Sequence, residues 1–477
     1  MSAAQDARAP DSAATGWRAM VTGERLPRFA LICVGMWLTA ADTLMTATIM
    51  PSVAADIGGY AWFGWAVAIF MLGSILAGAT SGQLSKRIGL RTAMAVAGLV
   101  YAIGCALSAA APNIAAFLVG RFAQGIGGGW VVGLCYVAVS SLFPQPLWPR
   151  VFSAISGVWG VATLLSPLIG GLFAQAGHWR AAFWLFAAQG LAFIAAAAVL
   201  VTRNAAPAED SIEHAPLAQL APLSLGVVAI AAAGLVASPI LAAGLGAAGL
   251  ALVALFLRMD LRASASLLPR TSADPRGGVG AGLAMIFLLS VGTASFTAYG
   301  PAIMQTLFGL SPIQAGYTLG AEAAAWTIVA LVFASVWTPA AKIRVGAMAV
   351  GLGIAALAYV MPRGPIAAIV ACAVLLGGGF GLNWAMLAER IVANAAPDEQ
   401  SLAASSVPTT QMIGTAVGAA AAGAIANLFG FAGGIDRPKA LAGGFWLFAA
   451  FIPVAALGIA AAWRLAAAQF DPKPASD

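Results

Sequence analysis

Residues 215–257, APLAQLAPLSLGVVAIAAAGLVASPILAAGLGAAGLALVALFL, contain no charged side chain. As one helix, at about 1.5 Å per residue, this stretch would be about twice as long as the roughly 30 Å hydrocarbon core of a bilayer. Ser238-Pro239 near its middle offers a turn, so the stretch reads as two apolar elements back to back. One element or two decides on which side of a membrane everything after residue 258 falls.

The rest of the chain has the same character. Of its 477 residues 61% are hydrophobic and 8% charged, and mean hydropathy is +0.92. Soluble domains carry roughly 45–50% apolar and about 25% charged residues. A water-soluble fold is therefore excluded. A membrane barrel is excluded too, because its strands of about ten residues alternate in polarity whereas these runs are continuously apolar. The runs lie near 28–50, 61–82, 92–111, 114–142, 150–175, 181–202, 218–237, 240–258, 279–305, 313–335, 344–361, 366–388, 403–429 and 442–466, fourteen in all. The first follows a polar, arginine-bearing segment without a short apolar region and cleavage site, and is expected to be a retained span.

Charge supports the same count. Cytoplasmic loops hold the Lys and Arg excess of a membrane protein. With fourteen spans and both termini inside, only Arg180, Arg363, Arg437 and Lys439 fall outside and Arg121 falls within a span; the other eighteen of the 23 basic residues are cytoplasmic. Reading 215–257 as one span would put Arg258, Arg262, Arg270 and Arg276 outside and reverse all that follows. A re-entrant hairpin gives the same orientation as two full spans. The net charge of +6 is thus a topology signal, and nucleic acid is not an expected partner. The expected organisation is a cytoplasmic tail 1–27, a six-helix bundle 28–202, a linker 203–277 with two additional spans, a second six-helix bundle 278–466 and a cytoplasmic tail 467–477, an all-α polytopic protein of the cell membrane.

Few groups could carry chemistry. Cys33, Cys105, Cys135 and Cys372 lie inside apolar runs with no metal-ligand spacing, and His178 and His214 sit in connectors. No metal or nucleotide cofactor is indicated, and no Gly-x-x-x-x-Gly-Lys-Ser/Thr loop occurs. The chain is not read as an enzyme. All but three of the seventeen acidic residues lie in tails or loops. Asp42 sits mid-run in the first span, Glu322 well inside the tenth, and Glu389 adjoins Arg390 at the end of the twelfth, where an ion pair is expected. Ionisable groups at membrane depth are costly and mark ion or proton paths. Asp42 and Glu322, from opposite halves, are the proton-carrier candidates, and Arg121 joins them as a buried guanidinium that needs a partner. Two other readings stay open: Asp42 as a structural carboxylate permanently paired with a hydroxyl or arginine, and Glu322 as a vestibule group outside the cycle.

Four motifs carry a family resemblance. Gly82-Gln83-Leu84-Ser85-Lys86-Arg87-Ile88-Gly89-Leu90-Arg91 resembles the Gly-x-Leu-Ala-Asp-Arg-x-Gly-Arg-Lys loop signature of the major facilitator superfamily, with Lys86 at the Asp position. Gly120-Arg121-Phe122-Ala123-Gln124-Gly125 resembles its Arg…Gln-Gly signature. Gly157 to Gly171, ending Ser166-Pro167-Leu168-Ile169-Gly170-Gly171, resembles the antiporter signature Gly-Pro-x-x-Gly-Gly. Asp42 with Pro51, and Tyr299, Pro301, Gln305 and Ser311–Gly316, are similar to the fourteen-span drug:proton antiporters of that superfamily. The resemblance implies two six-helix bundles that rock about a central site, proton-driven efflux of small molecules without a cofactor, and a gate built from Gly82, Lys86, Arg87, Gly89, Arg91, Ser166, Pro167, Gly170 and Gly171. Candidate substrate walls are Trp37, Trp130, Trp159, Phe296, Tyr299, Trp326, Asn383, Trp384 and Gln411. Mid-span polar groups are sparse, which favours an amphipathic or hydrophobic cargo over a sugar. A monomer in the lipid bilayer is expected. The alternatives are an exporter of a specific metabolite, siderophore or lipid-linked molecule, and a non-transporting membrane sensor of the same fold.

Overall fold

The computed structural model describes residues 23, 25–201, 217–333 and 336–467. Most of the expected N-terminal tail, the connector at 203–216 and the C-terminal tail lie outside the described residues. Within a bilayer every backbone polar group must be satisfied internally, and the apolar runs answer with helices: α1 (Arg25–Ile57), α2 (Phe63–Gly78), α3 (Ser81–Ile88), α4 (Leu90–Ala110), α5 (Ile114–Leu142), α6 (Trp148–Gln175), α7 (Trp179–Leu200), α8 (Leu217–Ala233), α9 (Pro239–Asp260), α10 (Gly278–Phe308), α11 (Pro312–Val332), α12 (Pro339–Arg363), α13 (Ile366–Ala393), α14 (Gln400–Leu428), α15 (Arg437–Ala449) and α16 (Ile452–Ala467). Thirteen segments are long and apolar enough to cross a membrane, α15 and α16 together forming one of them. The 17-residue α8 completes a set of fourteen.

Element ends follow local chemistry. Asn113, Ser238, Ser311, Thr338 and Asp436 each cap a helix by accepting from the backbone N–H three residues on. The Asp436 carboxylate takes the Lys439 N–H at 2.9 Å and the Lys439 ammonium at 3.0 Å, and these bonds hold it below the usual carboxylate range. The second run, expected to continue to residue 82, stops at Gly78, and α3 is a separate amphipathic helix that ends on Gly89 at φ +77°, a conformation glycine adopts without strain.

Helix pairing is the same in the two halves. In the first, α4 packs on α5 and α7, α5 on α2, and α1 on α6; in the second, α12 packs on α13 and on α15–α16, α13 on α11, and α10 on α14. The match extends to single residues. A Cβ on Gly125 would meet the Phe70 backbone and one on Gly129 the Ser74 backbone; a Cβ on Gly377 would meet Glu322 and one on Gly381 would meet Trp326. Each residue of the second set is offset by 252 positions from its counterpart in the first. These glycines let helix backbones touch, the main source of attraction between helices already surrounded by lipid.

Among the described residues the closest contacts between the halves gather toward one end. Gly64 of α2 lies against Ala419 and Gly423 of α14, Gly171 of α6 against Ile313 of α11, and Asn427 donates to the Ala61 carbonyl at 2.8 Å. This is the end carrying Arg180, Arg363 and Arg437. At the opposite, basic end Gly78, Gly82 and Gly157 have no heavy atom within 4 Å of a would-be Cβ. The bundle is therefore closed at the first end and open at the basic end, the one that the positive-inside rule would set toward the cytoplasm.

Gly377→Leu is expected to lower the melting temperature of the purified protein, by overpacking worth about 1–3 kcal/mol, whereas Gly157→Leu leaves it nearly unchanged. Equal melting curves for the two variants would contradict the crossing described.

Candidate functional site

The first half holds its charge in a closed cluster. Arg121, 2% exposed, reaches from α5 to Asp42 of α1, 0% exposed. One guanidinium nitrogen donates to both Asp42 oxygens, at 3.1 and 2.8 Å, and to Gln124 Oε1 at 3.0 Å. Gln124 returns its own amide to Asp42 at 3.0 Å and to Cys105 Sγ at 3.1 Å, Ser108 donates to Gln124 at 3.3 Å, and Thr46 to Asp42 at 3.4 Å. The guanidinium carbon stands 4.3 Å from the centre of the Phe70 ring, a cation–π contact. Two buried charges survive here because each is paired and its remaining polar atoms are mostly satisfied; only Arg121 Nε lacks a partner. Gln124 is a member that sequence reading quoted but did not assign. Its spacing of three from Arg121 puts both on one helix face, which was the available signal.

The second half is built differently at the matching place. Glu322 occupies on α11 the position that Phe70 occupies on α2. It is partly exposed, and no hydrogen bond or ion pair to it occurs among the described residues. One turn along, the Trp326 ring stacks on Phe380 at 5.0 Å and 11° and meets Trp384 at 5.2 Å. Asn383 is buried against Gly346 of α12, with neither amide atom bonded, so it faces its own half. Gln411 is partly exposed on α14. The expected Glu389–Arg390 pair does not form: neighbours in a helix diverge, Glu389 is exposed, and Arg390 donates to the Leu465 carbonyl at 2.9 Å.

The other candidate wall residues separate into groups. Phe296 and Tyr299 are fully buried rather than on an open wall. Tyr299 stacks on Phe63 of the other half at 5.6 Å and meets Phe431 of its own half at 6.0 Å. Trp37 donates to Gln189 at 3.0 Å and Trp130 to Thr80 at 2.9 Å, both inside the first half. Trp159 is 43% exposed on α6, and its neighbour Gly160 approaches Thr327, next to Trp326. Trp159, Trp326 and Trp384 are thus brought to one region.

The gate residues have distinct jobs. Pro167 has no N–H for the Thr163 carbonyl, and Gly320 of α11 lies against that bared oxygen, its would-be Cβ 3.2 Å away. Gly316 packs on Pro167, Gly170 on Met45 and Ile49 of α1, and Gly171 on Ile313; Ser166 is buried with its hydroxyl unpaired. The α6 motif is therefore a surface for α11. Gly82, Lys86 and Arg87 are exposed on α3 and Arg91 partly so on α4, and α3 packs on α4 and α5.

Known proteins resemble this chain along most of its length. The model of the Major Facilitator Superfamily matches residues 32–388. A probable multidrug-efflux transporter of Mycobacterium tuberculosis is 31% identical over 467 residues, covering 94% of this chain and 96% of the relative. An uncharacterized MFS-type transporter of the same organism is 24% identical over 83% of this chain and 59% of its own length. Among solved structures, a D-xylose-proton symporter superposes with a TM-score of 0.65 at 16% identity over 93% of this chain and 97% of that one. The peptide transporter POT gives 0.66 at 16% identity over 92% and 94%. At such identities the structures speak to fold alone.

Asp42→Ala and Arg121→Ala are each expected to destabilise the protein by about 3–5 kcal/mol, because each strands a buried charge. Removing both should cost less than the sum, as thermal unfolding of the single and double variants would measure; strict additivity would mean that the pair does not act as one.

Proposed function

The chain belongs to the major facilitator superfamily, and on that premise we propose that it exports amphipathic or hydrophobic small molecules, drugs and toxic compounds among them, in exchange for protons. It is a multi-pass membrane transporter of small molecules. The reading places it in the cytoplasmic membrane, as a monomer, working by alternating access.

One observation carries the proposal, the contrast between the two intramembrane carboxyls. Asp42 is neutralised by Arg121, and both belong to the same half, so rocking of the halves does not by itself part them. The pair holds α1 to α5. Glu322 has no counter-ion among the described residues and stands one turn from Trp326, whose ring stacks on Phe380 and meets Trp384. A lone carboxylate at membrane depth is costly. It takes one positive charge at a time, a proton or a cationic cargo, and that competition is the elementary step of exchange. The rings supply apolar area and cation–π attraction for the cargo.

The energetics suffice. One proton exchanged for one monovalent cation moves no net charge, so the pH difference drives the step; each pH unit supplies about 1.4 kcal/mol, about a tenfold concentration ratio. The aromatic walls and the likeness to a probable multidrug-efflux transporter of Mycobacterium tuberculosis both support a lipophilic cargo.

In proteoliposomes under a pH gradient, lipophilic cations should elicit proton release. Glu322→Gln is expected to reduce this flux at least about tenfold, equivalent to about 1.4 kcal/mol, and Glu322→Asp to retain part of it. Undiminished flux in Glu322→Gln would overturn the carrier assignment; no flux with any cation in the native protein would overturn cation–proton exchange.

A further inference from the structure

Two seams run between the halves, α2 against α14 and α6 against α11. In a bundle open at its basic end, each seam parts toward the cytoplasmic leaflet, and each would let a membrane-dissolved molecule slip sideways into the cavity. The two are not equivalent. The helix α8 packs on both α14 and α2, with Gly234 against the backbone of Ala424. It buries Leu220, Leu223, Val227 and Ile230, and α9 backs it through the Gly226–Gly249 crossing. The first seam is covered by the hairpin.

Along the second seam no comparable helix lies among the described residues. Its contacts thin out toward the basic end: Gly171 on Ile313, Pro167 on Gly316 and Thr163 beside Gly320 are close, Gly160 meets only the Thr327 methyl at 4.0 Å, and Gly157 meets nothing within 4 Å. At this parting Trp159 is 43% exposed, and Ile328 and Leu331 of α11 are 59% and 73% exposed. On α11, Trp326 is the neighbour of Thr327 and packs on Phe380 and Trp384, and Glu322 lies one turn on. An apolar edge, then aromatic faces, then a carboxylate is the order of chemistry that an amphipathic cation would meet on leaving the bilayer.

We propose that membrane-dissolved amphipathic cations pass to the cavity through the α6–α11 seam at Trp159 and Gly160, and that the α8–α9 hairpin shuts the α2–α14 seam to them. The inference deepens the export reading by naming where cargo enters and in what physical state. It accounts for the hairpin as a cover on one side of an otherwise two-sided molecule.

The test is photolabelling of the native full-length protein in proteoliposomes with a diazirine-bearing hydrophobic quaternary ammonium, with and without excess unlabelled compound. Competed labels are expected on residues 156–161 and 324–331. Gly157→Trp, whose added ring enters open space, should reduce competed labelling of Trp159 and Trp326 by about five-fold, near 1 kcal/mol. Leu225→Trp, on the exposed face of α8, should not. Competed labels on α8 and the adjoining face of α14, or labelling insensitive to Gly157→Trp, would overturn the proposal. Because labelling requires binding but no gradient, loss of coupled flux alone would count against the export reading and leave this inference standing.

Discussion

Helices in a bilayer gain little by exchanging lipid for one another unless their surfaces meet closely, and this protein depends on that constraint throughout. Its closest approaches occur at glycines, where carbonyls and Cα atoms of one helix lie on the bare backbone of the next. The same set of crossings recurs 252 residues later, Gly125 and Gly129 answered by Gly377 and Gly381. The repeat is therefore a repeat of contacts. Side chains between the crossings are free to differ, and there the two halves part company in chemistry.

The first half spends its polar residues on itself. Arg121, Asp42, Gln124, Ser108 and Thr46 close a neutral network with no opening to solvent. In the second half Glu322 has no hydrogen bond or ion pair among the described residues and lies one turn from the packed rings of Trp326, Phe380 and Trp384. A rigid, internally neutral body facing a body with one unanswered charge is a simple way to make a rocking motion depend on what binds. In the proposed cycle the charged network keeps its half intact while the lone carboxyl changes occupant.

Sequence alone gave the architecture well because hydropathy and basic-residue placement respond to the bilayer itself, whatever the packing. The uncharged stretch 215–257 resolves into α8 and α9 as Ser238-Pro239 suggested. Packing was less legible. Tyr299 and Phe296 looked like cavity walls, yet both are fully buried, Tyr299 against Phe63 of the other half, because an aromatic in mid-span reads the same whichever way its helix is turned. Asp260 looked like a loop residue. It is fully buried, taking the Leu267 and Leu268 N–H groups at 2.9 Å, and no local pattern announces a loop that folds back onto its own helix end. The Asp42–Arg121 pair needed a distance that sequence cannot supply.

That folded-back loop has a mechanical consequence. Beyond Asp260 the chain runs to Arg270, whose N–H reaches Glu399 at the start of α14 at 3.2 Å, while α8 lies along α14 itself. Glu399 and α14 belong to the second body, so the hairpin is anchored there at both its helical and its loop end. In the proposed cycle, tilting of the bodies carries α8 and α9 with the second one, past α2. Six helices therefore move against eight, and the heavier partner carries its own piece of lipid-facing wall with it through every stroke.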